Sequence, residues 1–262
     1  MAIITATIQS RTLQRKTTFA AIIPTKTKSF YDPQKGSNEE EGPLKTLYLL
    51  HGWDGDHQDW LHNTRIVELA DKYRFAVIMP NGENGFFVDN PGANRYGAFL
   101  TDELVEETQR LFPLSHKRED TWIGGLSMGG YGALRNGLQN RERFGKIAAF
   151  SSAILKRMDE TFSDSGPEEQ LKAIVRGDSY RDMPLDMDVH WLAGQAAPTE
   201  PRPEIYLTCG TDDFLLEDNR TFHEWLNRLN YPHAYRESSG AHDWDYWNNE
   251  LEPALKWLTG VE

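Results

Sequence analysis

The pattern of hydrophobic positions changes character between the start of the chain and the rest of it. Residues 3–13 and 16–23 alternate apolar positions with polar or β-branched ones, and Gln14 and Arg15 separate the two stretches. This pattern is typical of two paired antiparallel strands. From residue 46 onwards, short runs of consecutive apolar residues take over, beginning with Thr46–Leu50. Such a run predicts a strand that is buried on both faces.

Helical patterns alternate with these apolar runs along the rest of the chain. The further predicted strands cover residues 75–79, 121–125, 146–151, 204–209 and 234–238. The predicted helices cover residues 64–73, 100–112, 131–140, 221–229 and 250–258. This alternation predicts an α/β fold with a mostly parallel sheet flanked by helices, preceded by the N-terminal antiparallel hairpin.

Two stretches interrupt the alternation. Residues 25–43 are polar and contain an acidic triplet at 39–41, which indicates a loop with a solvated charged surface. Residues 154–203 are rich in Asp, Met, Pro and Gly and are too long for a simple connection. We expect a small, partly helical insertion there, over the carboxyl edge of the sheet. Because no repeat or low-complexity tract is present, residues 1–262 are expected to form a single domain.

Composition and charge narrow the classes of function. The 262 residues carry 28 Lys and Arg against 40 Asp and Glu, a formal net charge of −12. This balance argues against nucleic acid or an anionic membrane as the partner, since both need basic surfaces. The single cysteine, Cys209, excludes an internal disulfide and a cysteine-built zinc site. With no long apolar run and no recognisable secretory signal, the expected location is cytoplasmic.

The motif GLSMG at residues 125–129 is the sharpest chemical signal in the chain. It directly follows a predicted buried strand and directly precedes a predicted helix, which is the setting of a nucleophile elbow. That turn is tight enough to need glycines on both sides, and it places Ser127 at the amino end of the helix. The alternative is an ordinary glycine-rich turn between a strand and a helix.

A serine nucleophile needs a base, and in the elbow fold an acid and a histidine follow in that order. Asp212 and Asp213 come directly after the strand predicted at 204–209. His242 comes after the strand predicted at 234–238, within the sequence SGAHDW. Both positions fit the expected geometry, whereas the alternative for His242 is a solvated loop histidine. Gly210, Thr211 and Asp212 also have the composition of a turn, which favours Asp213 as the acid.

The sequence His51-Gly52-Trp53 ends the first buried strand, where an oxyanion donor is expected. Gly52 would let the chain turn so that the Trp53 N–H faces the reacting carbonyl, with the Met128 N–H as the second donor. His51 precedes the serine in the chain, so we interpret it as a buried histidine that supports this loop rather than as the base.

Two residue groups leave alternatives open. The acidic and histidine residues at 54–62 suggest a metal site, but their spacing fits no standard one, so we expect loop caps and surface. The tryptophans in loops or in the insertion indicate an aromatic-lined pocket, and Trp60, Trp191 and Trp244 are the candidate substrate-binding residues. Simple packing is the alternative for each of them.

Six segments together resemble a known family. They are YLLHGWDG at 48–55, MPNG at 79–82, GFFVD at 85–89, GLSMGGYGA at 125–133, CGTDDFL at 209–215 and GAHDW at 240–244. From about residue 44 to the end, the chain resembles the esterase D-like "putative esterase" family of α/β-hydrolases, and in particular the bacterial tributyrin and feruloyl esterases. The S-formylglutathione hydrolase branch usually has a histidine after SMGG, where this chain has Tyr131.

The resemblance implies a triad of Ser127, His242 and Asp213, oxyanion donors from Trp53 and Met128, and no cofactor. The family places its acid directly before Phe-Leu, which is a second argument for Asp213. The expected function is a serine carboxylesterase that hydrolyses short-chain acyl or aryl, feruloyl-like esters through an acyl-enzyme. An acyltransferase with the same triad and an inactive hydrolase fold used for binding are the alternatives. The partner is a small-molecule ester, and a homo-oligomer is left open.

Overall fold

The computed structural model describes residues 1–25, 42–90 and 94–261, so the acidic triplet at 39–41 lies outside the described residues. One sheet of eight strands organises the fold, in the order β1-β2-β4-β3-β5-β6-β7-β8. The strands are β1 (Ala2–Ser10), β2 (Arg15–Ile23), β3 (Thr46–Leu50), β4 (Ala76–Pro80), β5 (Thr121–Leu126), β6 (Lys146–Phe150), β7 (Glu204–Gly210) and β8 (His233–Ser238).

The sheet is mixed, as the sequence predicts. Strands β1 and β2 form an antiparallel hairpin, and β2 continues antiparallel to β4. Strands β3 to β8 are all parallel, so their carboxyl ends meet at one edge. Loops that follow different strands are thereby gathered at the same end of the molecule.

Helices cover both faces of the sheet. They are α1 (Asp59–Asn63), α2 (Ile66–Tyr73), α3 (Tyr96–Ala98), α4 (Val105–Leu111), α5 (Met128–Gln139), α6 (Gly166–Val175), α7 (Val189–Ala196), α8 (Leu216–Arg228) and α9 (Trp244–Thr259), with a π-helical segment, Phe99–Leu104, between α3 and α4. Alternate residues of each strand enter opposite cores: in β3, Tyr48 and Leu50 pack on one side and Leu47 and Leu49 on the other. Both faces of the central strands are buried, which is why β3 to β6 are largely apolar, whereas the edge strand β8, with the sequence HAYRES, is only partly buried.

Several element boundaries differ from the prediction. Strand β1 ends at Ser10, because residues 11–14 form the hairpin turn, and the short helix α1 was not predicted. Helices α5, α8 and α9 begin three to six residues before the predicted starts. For α9 the reason is a cap, since the Asp243 carboxylate accepts the Tyr246 N–H at 2.9 Å. A hydrophobic pattern does not detect such a start.

Residues 154–203 contain α6, α7 and two short 3₁₀ helices, Tyr180–Asp182 and Leu185–Met187. Side chains from this segment line a cavity that also contains Ser127. The insertion therefore lies at the carboxyl edge of the sheet. Among the described helices, none is both long and apolar enough to cross a membrane.

Candidate active site

The backbone at the end of β5 presents Ser127 at the carboxyl edge of the sheet. Ser127 has φ 52° and ψ −117° and lies between the last residue of β5 and the first residue of α5. A Cβ atom added to Gly125 would lie 2.4 Å from the Gly129 carbonyl oxygen. The turn therefore closes only with glycine at these places, as a nucleophile elbow requires.

The loops after β7 and β8 bring an acid and a histidine to this serine. His242 Nε2 lies 3.0 Å from Ser127 Oγ, and His242 Nδ1 lies 2.9 Å and 3.1 Å from the two carboxylate oxygens of Asp213. A carboxylate is an acceptor only, so Nδ1 carries the proton and Nε2 is free to accept one from the serine hydroxyl. This tautomer is the one in which the histidine can act as a base toward Ser127.

The Asp213 carboxylate is completely enclosed, with 0% of its side chain exposed. Burial by itself raises the pKa of Asp213, but hydrogen bonds from His242, Ser151 and the Leu215 N–H outweigh burial and lower it below the usual value. The Leu215 N–H is 2.8 Å from one carboxylate oxygen. The neighbouring Asp212 is exposed in the turn after β7. Only Asp213 therefore reaches His242.

The loop after β3 packs directly against the elbow. A Cβ atom on Gly52 would lie 2.6 Å from the end of the Leu126 side chain and 3.6 Å from Ser127 Cβ, so the loop approaches the elbow closely at Gly52. Trp53 and Met128 line the same cavity as Ser127. The Met128 N–H is at the first residue of α5, where it has no intrahelical acceptor. Trp53 and Met128 therefore both lie beside the cavity that contains Ser127.

His51 connects this loop to the one after β4. Its Nδ1 donates to the Gly52 carbonyl oxygen at 2.8 Å, and its Nε2 accepts the Gly82 N–H at 2.9 Å. Burial lowers the pKa of His51, while the hydrogen bond to Gly52 partly opposes that effect. A neutral ring bonded on both sides supports the loop, as expected from the sequence, and has no nitrogen left for the serine.

A cleft with two lobes surrounds Ser127. The larger lobe has a volume of about 550 Å³ and the smaller lobe about 510 Å³. Trp53, Ser127, Pro167 and Phe214 line both lobes, so the serine lies between them. His242 lines the smaller lobe, whereas Met128 lines the larger one. The cleft therefore has space for a ligand on both sides of Ser127.

Of the three tryptophans predicted to bind substrate, the structure brings one to this cleft. Trp244 lines the smaller lobe. Trp60 is buried in the core, where its ring packs against Phe150 and its Nε1–H donates to the Leu50 carbonyl oxygen at 3.0 Å. Trp191 is 38% exposed on α7 and lines neither lobe. The sequence places each tryptophan in a segment but does not indicate which way its ring points.

Two carboxylates of the acidic loop at 54–62 accept hydrogen bonds, one from another loop and one from within this loop. Asp54 accepts from the side-chain amide of Asn84 at 3.0 Å, and Asp56 accepts from the Gln58 N–H at 2.6 Å. Within the described ranges, no group of three or more metal-ligating side chains is found. Asp56 therefore caps its own turn, and Asp54 links this loop to the loop after β4.

Two residues at the site were not singled out from the sequence. Phe214 is 78% exposed, and its ring lies 4.5 Å from the His242 ring between centroids. Ser151 is fully buried behind Asp213 and receives a hydrogen bond from Trp247 Nε1 at 3.1 Å. A signal existed for both, since Phe214 follows the acid directly and Ser151 directly follows β6, the strand next to the elbow strand.

Comparisons with known proteins agree with this geometry. Residues 10–258 match the protein family described as "Putative esterase". An acetyl esterase of Caldicellulosiruptor saccharolyticus is 39% identical over 269 residues, which cover 100% of this chain and 99% of that protein.

Solved structures give the same result. FphF, a fluorophosphonate-binding serine hydrolase of Staphylococcus aureus, superposes with a TM-score of 0.83 at 30% identity over 98% of both chains. The S-formylglutathione hydrolase FrmB of the same organism superposes with a TM-score of 0.80 at 28% identity, again over 98% of both chains. The resemblance and the α/β-hydrolase fold expected from the sequence are thereby confirmed. The chain belongs to the "putative esterase" family and is a carboxylic ester hydrolase.

Proposed function

We propose that this esterase uses Ser127 as a nucleophile and hydrolyses short-chain acyl or aryl esters through a covalent acyl-enzyme. The observation that carries the proposal is the hydrogen-bonded series from Asp213 through His242 to Ser127, with 2.9 Å and 3.0 Å between the bonded atoms. Such a series activates a hydroxyl that is otherwise a weak nucleophile at neutral pH.

In the proposed reaction, Ser127 Oγ attacks the ester carbonyl carbon and its proton moves to His242 Nε2. The carbonyl oxygen becomes an oxyanion, which the backbone N–H groups of Trp53 and Met128 stabilise. When the C–O bond to the alcohol breaks, the Nε2 proton moves to the departing oxygen. Water then attacks the acyl-enzyme with the same histidine as its base, and the carboxylic acid and free Ser127 are regenerated. Asp213 stays ionised throughout and orients the imidazole.

The two lobes of the cleft suggest where the two parts of the ester lie. The departing oxygen must receive its proton from His242 Nε2, and His242 lines the smaller lobe. We therefore assign the alcohol to the smaller lobe, beside Trp244, and the acyl group to the larger lobe. The larger lobe has apolar side chains such as Phe86 and Leu171, but Lys156, Glu168 and Asp218 also line it.

This lining favours short or flat acyl groups over long chains. An acetyl, butyryl or arylpropenoyl group can occupy the apolar part of the lobe, whereas a long alkyl chain would also cover the charged side chains and remove their water. The acetyl esterase similarity supports the short acyl group.

Labelling with a fluorophosphonate tests the nucleophile directly. The probe should form one adduct, which peptide mass spectrometry places on Ser127, and butyryl ester hydrolysis should disappear as the adduct forms. Ser127→Ala should abolish labelling and lower kcat by a factor on the order of 10⁴ or more with an unchanged Tm. An adduct on another residue, or near-full activity in purified Ser127→Ala, would contradict the proposal.

A further inference from the structure

Glu250 is a buried carboxylate that the proposed reaction does not use. It lies on α9, and its side chain is only 6% exposed. A carboxylate in the interior needs hydrogen-bond donors around it, because burial removes it from water. The groups that supply these donors therefore indicate which parts of the fold the carboxylate holds together.

Polar side chains of the last two strands bind Glu250. The Ser238 hydroxyl donates to one carboxylate oxygen at 2.7 Å. Arg236 Nε donates to the other oxygen at 2.7 Å, and Thr208 Oγ1 lies 3.4 Å from that same oxygen. The Thr208 hydroxyl is also 2.6 Å from the hydroxyl of Tyr246 on α9. Glu250 thus joins α9 to both β7 and β8.

The loops that follow β7 and β8 carry the acid and the histidine of the proposed triad, and backbone hydrogen bonds join these two loops. The Thr211 N–H donates to the Ser238 carbonyl oxygen at 2.9 Å. The Asp212 N–H donates to the Gly240 carbonyl oxygen at 2.9 Å. A Cβ atom on Gly210 would lie 2.2 Å from that carbonyl oxygen, so the loops are also in close contact there. The side chain of Ser238 is therefore bonded to the buried carboxylate, and its backbone is bonded to the facing loop.

We propose that Glu250 is a positioning residue that fixes the end of β8 and thereby the place of His242 relative to Asp213. This inference rests on the proposed function, since it assumes that His242 acts on Ser127. Without the carboxylate, the Ser238 hydroxyl loses its acceptor and the two loops can shift against each other. A small displacement of the imidazole is enough to slow proton transfer from Ser127.

Glu250→Ala removes the carboxylate and all of its bonds. We expect kcat for p-nitrophenyl butyrate to fall at least about tenfold, because the imidazole is less well placed. KM should stay within about twofold, since Glu250 lines neither lobe of the cleft. The rate of fluorophosphonate labelling should fall in parallel, because that reaction also needs the activated Ser127. The measurements are made at a temperature at which circular dichroism shows the variant to be folded.

Glu250→Gln is the conservative variant that should restore the positioning. The amide has nearly the same shape, its oxygen can accept from Arg236, and its NH₂ group can donate to the Ser238 oxygen. We therefore expect kcat to stay within about threefold of the wild-type value. If Glu250→Gln lost as much kcat as Glu250→Ala, the bonds to the end of β8 would not explain the loss, and the proposal would be wrong.

Ser238→Ala tests the same link even where Glu250→Ala does not fold. It removes only the hydroxyl and leaves the carboxylate with its bond from Arg236. We expect kcat to fall by roughly threefold to tenfold with little change in KM. A kcat within about twofold of wild type in Ser238→Ala would overturn the proposal, whatever the effect of Glu250→Ala.

Glu252→Ala is the matched control on the same helix. Its carboxylate binds Lys72 and Tyr73, so it joins α9 to α2 rather than to the two loops. The substitution should keep kcat within about twofold. An equal loss of kcat in Glu252→Ala and Glu250→Ala would mean that a general loosening of α9 is responsible, which contradicts the proposal. Activity in purified Ser127→Ala would instead overturn the proposed function, so the two failures are distinguishable.

Discussion

At the scale of single residues, two adjacent carboxylates differ in the direction in which their side chains point. Asp212 and Asp213 share the loop after β7, yet Asp212 is exposed while the side chain of Asp213 is enclosed against His242. Neighbouring side chains in a turn point different ways, so only one of two adjacent acids can enter the site. The sequence could reach this choice because a turn composition favours exposure of Asp212.

Asp213→Asn should nearly abolish turnover. An amide in place of the carboxylate can donate as well as accept, so it permits the wrong histidine tautomer, and kcat should fall by about 10⁴. Asp212→Asn, the matched control, should stay within about tenfold of wild type. Parallel kcat measurements at neutral pH check this, and the reverse ranking would transfer the role to Asp212.

At the scale of elements, the buried strands could be predicted to within one or two residues, since a strand covered on both faces must be apolar throughout. The first residues of the helices were harder to predict from the sequence. Helix α9 begins at a side-chain cap on Asp243, and the predicted helix at 100–112 begins instead at Tyr96 and passes through a π-helical segment. Such features depend on single hydrogen bonds rather than on periodicity.

The residues of the candidate site also divide into those that the sequence pattern locates and those whose place depends on single contacts. Ser127, His242 and Asp213 could be predicted because each has a fixed place relative to a strand end. Trp60 could not be placed, because the direction of its ring depends on its hydrogen bond to Leu50 and on its packing against Phe150.

His51 holds the loops after β3 and β4. Its removal should therefore lower kcat more than it changes KM. His51→Ala leaves the buried Gly82 N–H without its acceptor, which costs about 1–3 kcal/mol of unfolding free energy. It also frees the Gly52 carbonyl, so the Trp53 N–H is less well placed. We expect kcat to fall about tenfold, with a smaller change in KM. A changed KM with an unaltered kcat would contradict a role in orienting the loop.

Helix α7 carries a histidine that should make the fold acid-sensitive. The His190 ring packs against Phe222 and Trp225, with 5.2 Å and 5.8 Å between centroids, and its two nitrogens have no hydrogen-bond partner among the described residues. Burial lowers its pKa to about 4, an effect that Asp188 opposes and Lys156 reinforces.

The sign of the pH dependence follows from this lowered pKa. In the unfolded chain the pKa of a histidine is about 6.5. Between that pH and about 4, the unfolded state therefore takes up a proton that the folded state does not. Unfolding free energy should therefore fall as the pH falls through this window. Between about pH 7 and pH 5, the Tm of His190→Phe should fall less than the Tm of the wild-type protein, as measured by differential scanning fluorimetry. The exposed His62→Phe is the control and should retain the wild-type difference.

At the scale of the whole molecule, the parallel sheet turns distant segments into one site. Ser127, Asp213, His242 and Trp53 follow four different strands, and all four strands end at the same edge. Residues 154–203 then add side chains from α6 and the adjoining loops to the larger lobe of the cleft, and Pro167 of α6 also lines the smaller lobe. The sheet thus positions the reacting groups, while the insertion forms much of the surface that would meet the acyl group.

The acyl preference of the enzyme should therefore reflect the mixed lining of the larger lobe. A panel of p-nitrophenyl esters keeps the leaving group constant, so differences in kcat/KM report the acyl group alone. We expect kcat/KM to be highest at acetyl to butyryl and to fall for octanoyl and palmitoyl, because longer chains cover Lys156, Glu168 and Asp218. Methyl ferulate, compared with methyl butyrate, tests the flat aryl acyl group.

Leu171→Ala widens the apolar part of the larger lobe and should raise the ratio of kcat/KM for the octanoyl ester to kcat/KM for the acetyl ester. Trp191→Ala, outside the cleft, should leave this ratio unchanged. A steady rise of kcat/KM from butyrate to palmitate would show that the larger lobe does not limit the acyl chain.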